Sequence, residues 1–151
     1  PQRCTALVLA DSRAGADGPE AKANRVGFAE AVRAGGPAVA VDKMLPKLLM
    51  PAAPPSLRDW VEGMIRSGSR EGIAAALLGM RDRPDSGPGL ASIAVPVLLV
   101  CGEKDDLTPP ADSKAMAEKI PGAKYVELAG AGHLSPVEAA AEFADAVIRF
   151  L

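Results

Sequence analysis

Residues 126–138 have the sequence VELAGAGHLSPVE and include His133, the only histidine among the 151 residues. A turn of small residues, Gly130-Ala131-Gly132, precedes the histidine, and an apolar helical pattern follows Pro136. Imidazole gives and takes a proton near neutral pH, so this placement suits general acid–base chemistry. The alternative is an ordinary surface or core histidine. The flexible turn before His133 and its position after a predicted strand argue against that alternative.

An acidic loop, GEKDDLTP at residues 102–109, also directly follows an apolar segment that reads as a strand. Functional groups gather beyond the carboxyl ends of neighbouring parallel strands. We therefore expect Asp105 or Asp106 to reach His133 and orient its ring. The other aspartate of the pair is expected to be a solvated turn residue or a helix cap.

Two serines, Ser12 and Ser135, also lie near the ends of predicted strands, but neither is expected to be a catalytic residue. Ser12 follows the first apolar segment without the Gly-x-Ser-x-Gly elbow that exposes a nucleophile, so a nucleophilic role is disfavoured. Ser135 is expected to cap the helix that follows His133.

The apolar patterns predict an α/β fold with about three parallel strands, flanking helices and an inserted helical segment. Strands are predicted at residues 4–10, 96–101 and 124–128, and helices at residues 111–120 and 137–151. Residues 13–85 read as helices only, among them residues 20–34, 38–45, one opening on a capping box at Ser56 and one capped by Ser69. The predicted core is residues 1–12 and 86–151. Residues 13–85 form the inserted helical segment, which the family resemblance given below identifies as the helical cap.

Composition narrows the classes of function. The formal net charge of -2, with acidic and basic residues interspersed, gives no reason to expect nucleic acid or an anionic membrane surface as a partner. Cys4 and Cys101 fall at opposite ends of parallel strands, so two free thiols and a reducing, cytoplasmic location are expected. No metal and no cofactor are expected.

Three segments together resemble the C-terminal part of an α/β-hydrolase: residues 1–25, 81–110 and 121–151. The resemblance is strongest to the branch of 3-oxoadipate enol-lactonases and small esterases, and it rests on GEKDDLTPP and GAGHLSPVE occurring in that order. It implies hydrolysis of an ester or lactone, with the triad acid at Asp105 and the base at His133.

Four residues are expected to bind the small-molecule substrate: Trp60, Met64, Met44 and Leu134. Packing within the helical core is the alternative for Trp60 and for the methionines.

The resemblance also implies that the nucleophilic serine and half of the oxyanion hole precede Pro1. These residues alone should then show little activity, and the apolar edge of the strand at residues 4–10 should pair with the N-terminal half of the hydrolase or with a second copy. A competing hypothesis is a non-catalytic truncated fragment that self-associates through that edge. A third is that Ser12 or Cys4 replaces the nucleophile.

Overall fold

The computed structural model describes residues 3–151 and contains a parallel sheet with the strand order β1–β2–β3. The strands are β1 (Leu7–Ala10), β2 (Val97–Gly102) and β3 (Lys124–Leu128). The helices are α1 (Pro19–Gly35), α2 (Pro37–Leu48), α3 (Pro55–Ser67), α4 (Arg70–Asp82), α5 (Pro110–Lys119), α6 (Ser135–Glu138) and α7 (Ala140–Phe150), with a 3₁₀ helix at Gly87–Ser92. The predicted α/β class, with three parallel strands and flanking helices, is confirmed.

The described chain divides into two compact units. The sheet unit comprises residues 3–14, 47–51 and 86–151, and the helical unit comprises residues 15–46 and 52–85. No helix among the described residues is both long and apolar enough to cross a membrane.

Strand β2 is the central strand of the sheet, since β1 and β3 pair with it on either side. All six of its residues are buried. Val97 and Leu99 pack on one face of the sheet, together with Met116 of α5 and Ile120, which directly follows that helix. The alternate side chains of the strand, Leu98 and Val100, point to the opposite face, where residues of α7 pack against them. The nearly continuous apolar segment in the sequence is therefore explained by burial on both faces.

Strand β1 is shorter than the predicted residues 4–10. Its pairing begins at Leu7, which is opposite Val97 and donates its N–H to the Pro96 carbonyl over 3.0 Å. Because β2 begins directly after Pro96, the residues before Leu7 have no strand beside them to pair with on that side.

The helical unit has its own small core, formed chiefly by small side chains. Its buried residues are Ala29, Val32, Ala40, Ala74 and Leu77. The predicted cap at Ser69 is confirmed, since its Oγ accepts a hydrogen bond from the Gly72 N–H over 3.0 Å. The predicted capping box at Ser56 is wrong: α3 begins at Pro55, so Ser56 already lies within the first turn.

Two further helix predictions need correction. Helix α2 extends to Leu48 rather than ending at residue 45, and it contains Pro46. The helix predicted over residues 137–151 is divided at Ala139, whose φ of -129° and ψ of 55° are not helical. Ser135 is not a cap, because Leu134 holds the N-cap position of α6 and Ser135 is already in the helix.

The two cysteines are both free thiols, as predicted, but they differ in accessibility. Cys4 is exposed, whereas Cys101 is fully buried and its burial raises the pKa of the thiol to about 11. The thiolate is the reactive form, so iodoacetamide at about pH 8 is expected to alkylate Cys4 in the folded protein and Cys101 only after unfolding. Peptide mass mapping checks this, and equal labelling of both thiols in the folded protein would contradict the structure.

Candidate active site

The acidic loop and the histidine turn meet at the carboxyl edge of the sheet. Strands β2 and β3 are parallel neighbours, with Gly102 opposite Leu128, so both loops leave the sheet at the same level. The Nδ1 atom of His133 lies 2.9 Å from Oδ2 of Asp105. The Asp105 side chain is fully buried, and the His133 side chain is 22% exposed. The ring therefore has a buried carboxylate on one nitrogen and access to solvent elsewhere.

Asp105 is fixed by the loop that contains it. Its Oδ1 accepts hydrogen bonds from the N–H groups of Leu107 and Thr108 over 2.8 and 3.0 Å. Its Oδ2 accepts the Thr108 hydroxyl over 2.8 Å in addition to the histidine. Burial acts to raise the pKa of Asp105, but the hydrogen bonds from Thr108 and His133 outweigh it and leave that pKa below its ordinary value. The carboxyl is therefore ionised at neutral pH.

This arrangement determines which ring nitrogen carries the proton. An ionised carboxylate only accepts hydrogen bonds, so Nδ1 of His133 is assigned as the donor to Asp105. In the neutral imidazole the other nitrogen, Nε2, then has a free lone pair and can accept a proton from a hydroxyl. The pair has the geometry of a general base with its orienting acid.

Acidic side chains hold the backbone of the histidine turn from both sides. Oε2 of Glu103 accepts the Gly130 N–H over 2.9 Å, and Oε2 of Glu138 accepts the Gly132 N–H over 2.9 Å. The second oxygen of Glu138 accepts the Met50 N–H over 2.6 Å. A turn of small residues is flexible by itself, so these bonds determine where it places the imidazole.

The acidic loop and the histidine turn also contact each other directly through the backbone. The Lys104 N–H donates to the Ala131 carbonyl over 2.9 Å. Gly102 is so close to this turn that a Cβ atom there would lie 2.5 Å from the Ala131 oxygen and closer still to that of Gly132. Glycine at residue 102 is therefore what permits the approach.

A third carboxylate, that of Asp11, lies at the same edge of the sheet, and the sequence analysis missed it. It directly follows β1, is 9% exposed, and accepts hydrogen bonds from Gly102 and Ser135. A signal was available, because Asp11 also stands at the carboxyl end of a parallel strand. The hydroxyl of Thr108 was missed as well, although it lies 3.3 Å from Nδ1 of His133.

One cluster in this region has the composition of a metal site. The potential ligand atoms of Asp11, Cys101 and Asp105 lie within 4.8 Å of one another. However, the carboxylate oxygens of Asp11 and Asp105 already accept hydrogen bonds from protein groups. Because these oxygens are engaged within the protein, we assign no metal to the cluster.

The remaining residues singled out from the sequence lie in both units. Trp60 and Met64 are on α3, with half of each side chain exposed, and Met44 is half-buried on α2. Leu134 follows His133, and its N–H donates to the Leu48 carbonyl over 3.1 Å. Asp106, the second candidate for the acid, is exposed.

Comparison with known proteins gives a consistent answer. A sequence profile of the alpha/beta hydrolase family matches residues 2–146. A pimeloyl-[acyl-carrier protein] methyl ester esterase from Xanthomonas campestris is 36% identical over 84 residues, which make up 54% of this chain and 33% of that protein.

Solved structures match over nearly the whole chain. A thermophilic esterase from Thermogutta terrifontis gives a TM-score of 0.92 with 38% identity, over 96% of this chain and 54% of that one. The enol-lactonase from Burkholderia xenovorans gives a TM-score of 0.87 with 28% identity, over 98% of this chain and 56% of that one. The chain thus spans about half the length of these structures.

Proposed function

Because the chain belongs to the alpha/beta hydrolase family, we propose that it supplies the acid and the base of a serine hydrolase that acts on an ester or lactone. His133 is the proposed general base and Asp105 the residue that orients it. The observation that carries this proposal is the 2.9 Å contact between Nδ1 of His133 and the buried, ionised Asp105 carboxylate.

The proposed chemistry is acyl transfer to water in two steps. Nε2 of His133 takes the proton from a serine hydroxyl while the serine oxygen bonds to the carbonyl carbon. The imidazolium then returns that proton to the leaving alkoxide as the ester bond breaks. Water attacks the acyl-serine by the same route, which releases the acid and regenerates the hydroxyl. Asp105 keeps the Nδ1 proton in place and stabilises the imidazolium in both steps.

The proposed nucleophile lies outside these 151 residues. None of the serines in the sequence stands in a Gly-x-Ser-x-Gly elbow, the turn on which this fold exposes its nucleophile. Ser135, the serine nearest to His133 in sequence, is fully buried and donates its hydroxyl to Asp11 over 2.6 Å. It is therefore unsuited to attack a substrate.

The helical unit is the proposed cap of this hydrolase. Trp60 and Met64 expose apolar surface on α3, and together with Met44 and Leu134 they are the proposed substrate-binding residues. Relatives named as a methyl ester esterase, an esterase and an enol-lactonase support small esters and lactones as the substrate class. A cytoplasmic location is proposed because both thiols are free.

The free edge of β1 is the proposed pairing surface. Among the described residues β1 pairs only with β2, and such edges recruit further strands. The N-terminal half of the hydrolase is the proposed partner, while pairing between two copies of this chain is the competing, non-catalytic hypothesis. Sedimentation of the purified protein separates the two, because self-pairing predicts a dimer that dissociates on dilution.

The test is hydrolysis of simple esters by the natural polypeptide. By this we mean the polypeptide that contains these 151 residues in the source organism. It is expected to hydrolyse p-nitrophenyl acetate or a small lactone, and His133→Ala is expected to lower kcat about 10⁴-fold or more. A wild-type protein without hydrolysis, or a folded His133→Ala variant with full activity, would overturn the proposal.

A further inference from the structure

The Asp11 carboxylate is a buried charged group that the acid–base pair itself does not use. It follows β1 with φ of 43°, and it is the only non-glycine residue of positive φ among residues 3–151. Asparagine and aspartate tolerate this left-handed conformation better than most residues, but it still costs free energy. A strained backbone in the midst of a candidate site suggests that the position of this side chain matters there.

The contacts of Asp11 join the loops that carry the acid and the base. Oδ1 accepts the Gly102 N–H over 2.9 Å, at the start of the acidic loop. Oδ2 accepts the Ser135 hydroxyl over 2.6 Å and the Ser135 N–H over 3.2 Å, two residues beyond His133. The Asp11 N–H also donates to the Val100 carbonyl over 2.9 Å, which fixes the side chain relative to β2.

The three donor groups on Gly102 and Ser135 depend on Asp11 because both residues are buried. Ser135 is fully buried, and Gly102 lies in a strand without exposed residues. A buried donor that loses its acceptor costs about 1–3 kcal/mol. Moving either loop away from this carboxylate therefore carries an energetic penalty. Glu103 and Glu138 fix the turn before His133, and Asp11 fixes the chain after it.

Asp11 interacts electrostatically with the same pair. Burial raises the pKa of this carboxyl, with the neighbouring Asp105 carboxylate adding to the rise, while the hydrogen bonds from Ser135 and Gly102 and, once the ring is protonated, the charge of His133 act in the opposite direction. The group thus lies close enough to both members of the pair for their charges to interact.

From these contacts we infer that Asp11 is a positioning residue for the proposed reaction. It sets the distance between the histidine turn and the acidic loop, so that Nδ1 of His133 meets Asp105, and Ser135 is the group through which it acts. This inference rests on the proposed function, and it adds to it the hydrogen bond from Ser135 to Asp11 as the contact that aligns the base.

The test compares Asp11→Asn, Ser135→Ala and the double variant in the natural polypeptide, with the exposed Asp106→Asn as the control. Asparagine tolerates the same backbone conformation, but it has a single side-chain oxygen, which cannot replace both the oxygen that accepts from Gly102 and the oxygen that accepts from Ser135. Each single variant is expected to lower kcat for p-nitrophenyl acetate about 10-fold or more with KM little changed, because misplacing the base affects the chemical step. The double variant should lose little more than either single one, since the two groups act as a unit.

A spectroscopic readout keeps the inference separate from the proposed function. The proton shared by Nδ1 of His133 and Asp105 should give a downfield ¹H resonance, assigned by its loss in His133→Ala. We expect Asp11→Asn to shift or broaden this resonance while the far-UV circular dichroism spectrum is retained. If wild type hydrolyses no ester, the proposed function fails and this resonance alone decides. An unchanged resonance, or an unchanged kcat in an active, folded Asp11→Asn variant, would overturn the inference.

Discussion

Replacing Asp105 by Asn is expected to lower kcat of the natural polypeptide about 10⁴-fold, a loss comparable to that expected for His133→Ala. The reason lies in the donors around this side chain. Oδ1 accepts two backbone N–H groups, so an asparagine would keep its oxygen there and turn its NH₂ group toward His133. Nδ1 would then accept rather than donate, which moves the ring proton to Nε2 and removes the base.

The matched control is Asp106→Asn, which removes the same charge from the neighbouring residue. Asp106 is exposed, and we expect its variant to keep kcat within about twofold of wild type. Steady-state kinetics with p-nitrophenyl acetate measures both variants. A large loss in Asp106→Asn together with an active Asp105→Asn would show that the acid has been assigned to the wrong residue.

Replacing Gly102 by Ala is expected to destabilise the fold by about 3 kcal/mol or more, the largest effect on stability that we predict. The new Cβ would lie against the carbonyl oxygens of Ala131 and Gly132, which are backbone atoms that cannot rotate away. Either β2 or the histidine turn must move, and β2 is buried along its whole length. Urea unfolding followed by circular dichroism measures the change in the free energy of unfolding.

Gly79→Ala provides the control for the same chemical change. Gly79 lies in the interior of α4, and a Cβ there would meet no atom within 4 Å. Alanine favours the helix, so this variant should gain about 0.5–1 kcal/mol. Equal stability of the two variants would show that the close approach at Gly102 does not constrain the fold.

The sequence contains enough to predict the architecture but not the details of the helix ends. The buried strand over residues 97–102 is visible as a continuous apolar segment, and the parallel order follows from alternating strands and helices. The break at Ala139 could not be predicted, since nothing in the composition there disfavours a continuous helix. At Ser56 a good capping sequence was overridden by the two prolines before it, since Pro54 is the N-cap and the helix begins two residues earlier than a capping box at Ser56 predicts.

The candidate site shows a similar division. That a carboxylate of the acidic loop and His133 come together follows from parallel strands ending at one edge. Strand order alone leaves Asp105 and Asp106 open, and the resemblance to the α/β-hydrolases is what assigns the acid to Asp105. The physical basis of that choice is the turn in which Asp105 accepts hydrogen bonds from the N–H groups of Leu107 and Thr108. The position of Asp11 at the end of the first strand is visible in the sequence, but its bond to Ser135 is not, because the two residues are 124 apart and no local pattern links them.

The most direct test of the central claim is labelling of the natural polypeptide with a serine-reactive fluorophosphonate, followed by peptide mapping. The claim is that His133 and Asp105 activate a serine from outside these 151 residues. It predicts one labelled serine, in a Gly-x-Ser-x-Gly segment that is not among them, with labelling lost in His133→Ala. Label on a serine within residues 1–151, or labelling that does not depend on His133, would contradict the account.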